Sequence, residues 1–395
     1  MLKNPTGGDS MKKILRMMIS LLWFTASGLA ATYTVCPSGC SFTSIQAAAN
    51  TAVAGDTVNV GNGTYAETIT FPHSGSSGSP ITFQSTNKWG AKIQLGSGVN
   101  VGLVINGSFV TVKNFEIIGA SDGSNSTGIK CNTGNNCSVV GNKIHHIGTT
   151  STSCPLGAAI EPNNGSNHFI SGNYLYDISP PRTAARCNHE QGIYVSGIPS
   201  NNGIIQNNII FACYQCYAIQ FDGGAPSGWT VSNNTIFNVG ASTTASGGGL
   251  YYNCANSGAL CDNNSFNNNI FMNTGGDSCI WEDTVAPGGT LGTHDHYLNN
   301  LFSNCFSGNR FLTGSLTASV NANPLFVNYT GDQTGDYHLQ SSSPAIDAGT
   351  SSGAPSTDFD GNPQTLPRTI SALLQAGGTN ASGPNPPTGL TATIN

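Results

Sequence analysis

Between residues 128 and 283 a small residue followed by an aliphatic opens one short strand after another. The motif reads Gly128-Ile129-Lys130-Cys131, Ala159-Ile160-Glu161-Pro162, Gly192-Ile193-Tyr194-Val195, Ala218-Ile219-Gln220-Phe221, Gly249-Leu250-Tyr251-Tyr252 and Cys279-Ile280-Trp281-Glu282. Its aliphatics are spaced by 31, 33, 26, 31 and 30 residues. Each motif is followed by a strand that closes on Asn, as in Val139-Val140-Gly141-Asn142, Phe169 to Asn173, Ile204 to Asn208 and Val231 to Asn234. A further strand starts at once, as in Ile144 to Ile147, Leu175 to Ile178 and Ile236 to Val239. A unit this small cannot bury its apolar side alone, so it must stack on its neighbours. The repeat therefore predicts an all-β, right-handed parallel β-helix, a β-solenoid with three short strands per coil and coils about 4.8 Å apart. The closing Asn suits a corner with left-handed backbone, and stacked Asn side chains bond to one another along the axis.

Composition supports stacked strands with a short-side-chain polar surface. Charged residues are 8% of the chain, against about 25% in ordinary soluble proteins. Hydrophobic residues still reach 38%, which excludes a disordered chain. The formal charge of −6 argues against nucleic acid as a partner, because that needs a basic stripe. One local basic stretch stands out: Lys130, Lys143, Arg182 and Arg186 fall within 57 residues.

The N-terminus reads as a signal peptide over residues 1–30, with 1–10 as an upstream overrun. Met11-Lys12-Lys13 is basic, Ile14 to Phe24 is apolar, and Gly28-Leu29-Ala30 offers a small-residue cleavage site. No segment is long enough to span a membrane, so the expected location is secreted or extracytoplasmic, as a monomer. The twelve cysteines all follow residue 30 and read as disulfides of an oxidising compartment. Near neighbours pair as Cys36/Cys40, Cys131/Cys137, Cys213/Cys216 and Cys254/Cys261, leaving Cys154/Cys187 and Cys279/Cys305 about one repeat apart. Zinc is the rival reading, but the spacings make no paired CxxC set. Ile45, Ala48, Ala49 and Ala52 share one face of a short helix that caps the first coil. The solenoid is expected over residues 31–365. Residues 366–395, rich in Gly, Asn, Pro and Thr, read as a C-terminal tail or linker.

A family resemblance is carried by Ser44-Ile45-Gln46-Ala47-Ala48, Gly55-Asp56-Thr57-Val58 and Gly63-Thr64-Tyr65. These resemble the entry to pectate lyase-like right-handed parallel β-helix proteins. Asn323-Pro324-Leu325-Phe326, Tyr337-His338-Leu339, Ser343 to Gly349 and Asp358 to Pro363 resemble the C-terminal stretch of exported β-helix repeat proteins. Leu366 to Gly378 departs from that pattern. The resemblance implies a polysaccharide partner and an activity among lyases, hydrolases, epimerases and non-catalytic surface proteins.

Side chains alternate along a strand, so if Ile129 and its equivalents point inward the next residues form an outward ladder. That ladder is Lys130, Glu161, Tyr194, Gln220, Tyr251 and Trp281, and two residues on the same face carries Asn132, Asn163, Ser196, Asp222, Asn253 and Asp283. Aromatics at coil spacing form a platform on which sugar rings stack. Glu161, Gln220, Asp222, Tyr251 and Trp281 are the expected substrate-binding residues.

Lyase chemistry on a uronic-acid polymer needs a cation at the substrate carboxylate, a base for the α-proton and an acid for the leaving oxygen. Lys130, Arg182, Arg186, His189 and Tyr194 are the catalytic candidates, and the run Arg186 to Tyr194 is the densest polar cluster. The resemblance implies Arg or Lys as base and Ca²⁺ as a common helper; Glu190 is the metal candidate. Hydrolysis instead needs two carboxylates, for which Glu161 and Asp222 lie two coils apart. His294-Asp295-His296 offers a weaker metal reading, and Asp358-Phe359-Asp360-Gly361-Asn362 reads as a turn because it lacks the later Glu of a calcium loop. The leading expectation is a lyase on an acidic polysaccharide; the alternative is a non-catalytic carbohydrate-binding or cell-surface protein, with hydrolase or epimerase behind it.

Overall fold

The computed structural model describes residues 29–121, 124–148, 157–179, 190–240, 247–276, 278–283, 288–305 and 308–375. Three long parallel sheets run the length of the molecule, with eleven, ten and eight strands. The central coils contribute one strand to each, so the chain winds as a right-handed parallel β-helix. We call them the ladder sheet (eight strands, Ile69–Phe71 to Ser278–Asp283), the middle sheet (eleven, Thr32–Val35 to Leu316–Thr317) and the closing sheet (ten, Gly63–Tyr65 to Val320–Asn321).

The repeat aliphatics form the core as expected. Ile129, Ile160, Ile193, Ile219, Leu250 and Ile280 are fully buried and stand in register on successive strands. The residue before each is small because the next coil passes close by. A Cβ added at Gly249 would come within 2.3 Å of the Cys279 carbonyl oxygen. At the N-terminal end, the helix Ile45–Ala49 buries Ile45, Ala48 and Ala49 against the first coil, with Ser44 as N-cap. The Glu67 carboxylate accepts from the N–H groups of Ile45 and Gln46, both at 2.9 Å, satisfying donors that the helix leaves open.

The corner between the middle and closing sheets uses two adjacent residues rather than one. Gly141, Gly172, Asn207, Asn233, Asn268 and Asn299 have positive φ. The residue after each of these belongs to a buried amide stack: Asn142, Asn173, Asn208, Asn234, Asn269 and Asn300 are linked Nδ2 to Oδ1 at 2.9–3.2 Å. Left-handed backbone and axial bonding, which the sequence assigned to the same Asn, are thus separate tasks.

Beyond the last coil the chain folds back over the outer face of the closing sheet. Phe326, Tyr337, Leu339, Ala345, Ile370, Ala372 and Leu373 pack with Tyr176, Ile209, Phe211, Phe237, Ile270 and Leu301. Ordered packing therefore continues past residue 365, because the outward side of this sheet is apolar and has to be covered. Asn207, Asn233, Asn268 and Asn299 donate their side-chain amides to carbonyls of Thr357, Thr369, Thr350 and Ala348. Disulfides join Cys36–Cys40, Cys131–Cys137, Cys213–Cys216, Cys254–Cys261 and Cys279–Cys305. The expected Cys154–Cys187 pair lies outside the described residues. Among the described residues no helix is long and apolar enough to cross a membrane.

Candidate functional site

The outward row on the ladder sheet is assembled in the order read from the sequence. Lys130 pairs with Glu161, Tyr194 with Gln220, Gln220 with Tyr251 and Tyr251 with Trp281, while Ile160 opposite Ile193 places Glu161 beside Tyr194. Parallel pairing in fixed register makes every residue of the row a neighbour of its equivalent one coil on.

Glu161 organises one end. Its Oε1 accepts from Lys130 Nζ at 2.9 Å and from Asn163 Nδ2 at 2.8 Å, with Ser196 Oγ at 3.4 Å. Glu161 is buried and Lys130 is partly exposed, so the pair is shielded from solvent on one side. A lysine bonded in this way offers positive charge and N–H donors rather than a free base.

Tyr194 and Asp222 form the centre. Burial pushes the Tyr194 phenol up, and the charges of Asp222 and Glu161 act in the same direction. Tyr194 is therefore a proton donor that stays protonated through the ordinary tyrosine range. Burial also raises the Asp222 carboxyl, opposed by hydrogen bonds from the Gly223 N–H, Gln220 and Asn253, while Asp283 reinforces the rise. The Asp222 carboxylate accepts from Gly223 N at 2.7 Å and from Gln220 Nε2 and Asn253 Nδ2 at 3.2 Å each. The other amide oxygens, Gln220 Oε1 and Asn253 Oδ1, are buried without a hydrogen-bond partner among the described residues.

At the far end the aromatic residues pack on one another. Tyr251 stacks on Tyr217 at 4.8 Å between centroids, meets Trp281 edge-on at 5.4 Å and donates to Asp283 Oδ2 at 3.1 Å. Tyr194 and Tyr251 are buried, and only Trp281 of the three ladder aromatics is half-buried. The aromatics are thus not the open platform that alternation alone suggested. The Arg310 guanidinium, absent from the sequence expectations, lies 4.3 Å from the centroid of the Trp281 ring.

Two expected features are distributed differently. Lys143 is not beside Lys130: it sits on the closing sheet, 2.7 Å from Glu116, which also binds Lys92 and His145. Residues close in sequence are spread around a coil, so the basic stretch does not make a single patch. His294 pairs with Asp262 at 2.8 Å while Asp295 is buried, and no three-residue metal group forms there among the described residues. The Cys131, Cys137 and His168 atoms do converge, but the two sulfurs are bonded to each other and not available as thiolate ligands. Asp358 accepts from the N–H groups of Asp360 and Asn362, which makes that segment the expected turn. Arg182, Arg186 and His189 lie outside the described residues. Glu190 opens the strand Glu190–Val195, and its side chain lies outside them too.

No protein-family model matches the sequence, and no curated protein matches it. Among solved structures the chain is similar to an alginate lyase from Paenibacillus sp., with 14% identity over 74% of this chain and 98% of the other and a TM-score of 0.47. It is similar to a pectate lyase at 14% identity, over 88% and 97% of the two chains, with a TM-score of 0.48. A mannuronan epimerase module from Azotobacter vinelandii matches at 12% identity over 71% and 94%, with a TM-score of 0.41. In fold, this chain is a right-handed parallel β-helix. That name describes architecture; any chemistry of this β-helix has to come from its own side chains.

Proposed function

We propose that this β-helix is an exported lyase that cleaves an acidic, uronate-containing polysaccharide by β-elimination. The observation that carries the reading is Tyr194, a phenol held protonated between Glu161 and Asp222 one coil from the Lys130–Glu161 pair. In the elimination a base takes the proton on the carbon bearing the carboxylate, the adjacent carbon–oxygen bond breaks, and a double bond forms between the two carbons. Lys130, fixed by Glu161, donates to the substrate carboxylate. Tyr194 passes its proton to the leaving oxygen. The base comes from the segment entering the Tyr194 strand, where His189 and Arg186 are the candidates. Trp281, the half-buried ladder aromatic, meets a sugar ring, with Gln220 and Tyr251 backing the row, and the polymer is the partner.

Three carboxylates, Glu161, Asp222 and Asp283, face a substrate that is itself an anion, and this repulsion calls for a cation. Asp222, Asp283, Gln220 Oε1 and Asn253 Oδ1 offer a set of hard oxygens, two of them buried without a partner among the described residues, that fits Ca²⁺. Those four residues would hold the ion. Bound there, Ca²⁺ would neutralise the carboxylate of a uronate further along the row than the one Lys130 meets.

The test is the ultraviolet absorbance of unsaturated uronate, using mature protein with pectate, alginate and glycosaminoglycans, with and without Ca²⁺. A rise on one polymer that is lost with chelator supports both parts of the reading. A flat trace without reducing-end release identifies a carbohydrate-binding protein instead. A second reading draws on the raised carboxyl of Asp222, two coils and two strand residues away from Glu161, as the acid of an inverting hydrolase. Reducing ends without the absorbance select it.

A further inference from the structure

We propose that Arg310, laid over Trp281, is a carboxylate-binding subsite that closes the end of the substrate row opposite Lys130. The inference deepens the lyase reading and rests on it. The indole and guanidinium are 4.3 Å apart, and the backbones of Trp281 and Arg310 form a parallel bridge, so Arg310 continues the ladder by one further step. Counting strand steps from Lys130 to Arg310 gives six, or roughly 29 Å, with Glu161, Tyr194, Gln220, Tyr251 and Trp281 between. The row thus has a cation at each end.

Arg310 is held by its backbone and free at its head. Its N–H donates to the Ile280 carbonyl at 2.9 Å and its carbonyl accepts from Glu282 N at 2.8 Å. On one side Asn309 Oδ1 accepts from Ile280 N at 3.0 Å. On the other, Glu282 Oε2 accepts from the N–H groups of Leu312, Thr313 and Gly314 at 2.7–3.0 Å. The Cys279–Cys305 disulfide ties the same segment to the ladder strand. Arg310 is nevertheless exposed, and among the described residues no carboxylate lies within ion-pair distance of it. Lys92, Lys130 and Lys143, by contrast, are each bonded to a carboxylate.

A guanidinium stacked on an aromatic face keeps its in-plane N–H donors at the rim, where they match the two oxygens of a carboxylate. Little side-chain freedom remains to be lost on binding, because the indole already fixes the plane. The ligand chemistry is therefore a uronate carboxylate whose ring reaches the Trp281 end of the row. A role limited to shielding the indole would need the positive charge but not the planar fork, and it would be blind to the sugar's charge.

The experiment is titration calorimetry in a Tyr194→Phe background, which suppresses turnover, with hexasaccharides of galacturonate and of mannuronate and their carboxyl-reduced counterparts. Arg310→Gln is expected to weaken the acidic hexamer about tenfold and Arg310→Lys by less, with the reduced hexamer unchanged in both. Equal losses for acidic and reduced ligands, or no loss for either, overturn the subsite. Should Arg310→Gln fold poorly by circular dichroism, Arg310→Lys carries the same comparison. Unsaturated product from the parent enzyme together with full affinity in Arg310→Gln overturns the subsite alone. No binding and no product from the parent protein on any uronate overturns the lyase reading with it.

Discussion

Lys130 Nζ lies 2.9 Å from Glu161 Oε1, and the two residues are direct partners on adjacent strands. The relationship ties the charge at one end of the row to the coil that carries Tyr194 next in line. A carboxylate this buried depends on the partner that neutralises it.

Replacing Lys130 by Met is expected to cost about 2 kcal/mol of stability, because Glu161 keeps only neutral donors. Glu161→Gln should cost about 1 kcal/mol, and the double variant should regain part of the sum. Urea unfolding of the four proteins measures the coupling; strict additivity would show that the pair is not a working contact.

Tyr194→Phe removes the phenolic proton without changing shape. Turnover should fall by a factor of about a hundred or more while affinity for the polymer stays near that of the parent. Because the phenol is held above its ordinary range, the parent rate should show no downturn from Tyr194 as pH rises towards 10. A loss of affinity equal to the loss of rate would make Tyr194 a binding residue.

Asp295 gives a pH prediction for the fold. Burial pushes its carboxyl up to about 6, from an ordinary value of 3.8. Between those two values the folded protein holds a proton that the unfolded chain has released. Stability from this group therefore falls as pH rises through the window and is constant above it. Asp295→Asn retains an oxygen for Asn264, whose backbone N–H Asp295 Oδ1 accepts at 2.7 Å, and removes the buried charge. The variant should be more stable than the parent by about 2 kcal/mol at pH 7, with the gain vanishing below about pH 4 in thermal melts.

His338 acts with the opposite sign. Its hydrogen bond to Asp360, helped by Asp336 against burial, raises the imidazole to about 9. The stabilisation is complete below pH 6.5 and is lost as pH rises through 9. Hydrogen exchange of the strand Asp336–Leu339 should quicken over that interval, and His338→Gln should abolish the pH dependence without altering the coils.

Much of the fold was legible because the repeat writes one strand per coil into the sequence. Ile129 to Ile280 set the inward column, and alternation then placed Lys130 to Trp281 in a single row. Burial was not legible, since alternation says which way Tyr251 points and not that Tyr217 stacks on it. Arg310 falls one repeat step after Trp281, but Gly308-Asn309-Arg310 lacks the small–aliphatic pair that marked the earlier strands. The signal was the expected Cys279–Cys305 bond, which returns the segment after Cys305 to Trp281. The fold-back also had a signature that went unread. Ile209-Ile210-Phe211 and Ile270-Phe271-Met272 are apolar on both faces, unlike strands that meet water on one side. The corners change from Gly-Asn at 141 and 172 to Asn-Asn from 207 onward, where the first Asn reaches the returning chain.

That returning chain alters how the whole molecule should come apart and go together. A plain solenoid is bonded only between neighbouring coils and can fray from an end, one turn at a time. Here bonds such as Asn207–Thr357 and Asn233–Thr369 join residues 150 and 136 positions apart, and they lace four successive corners to one strip. Loss of a middle coil then has to break the strip as well, which favours all-or-none unfolding. The strip is also the last described part of the chain to be synthesised, so the Phe211 and Phe237 face waits uncovered until almost everything else has been made.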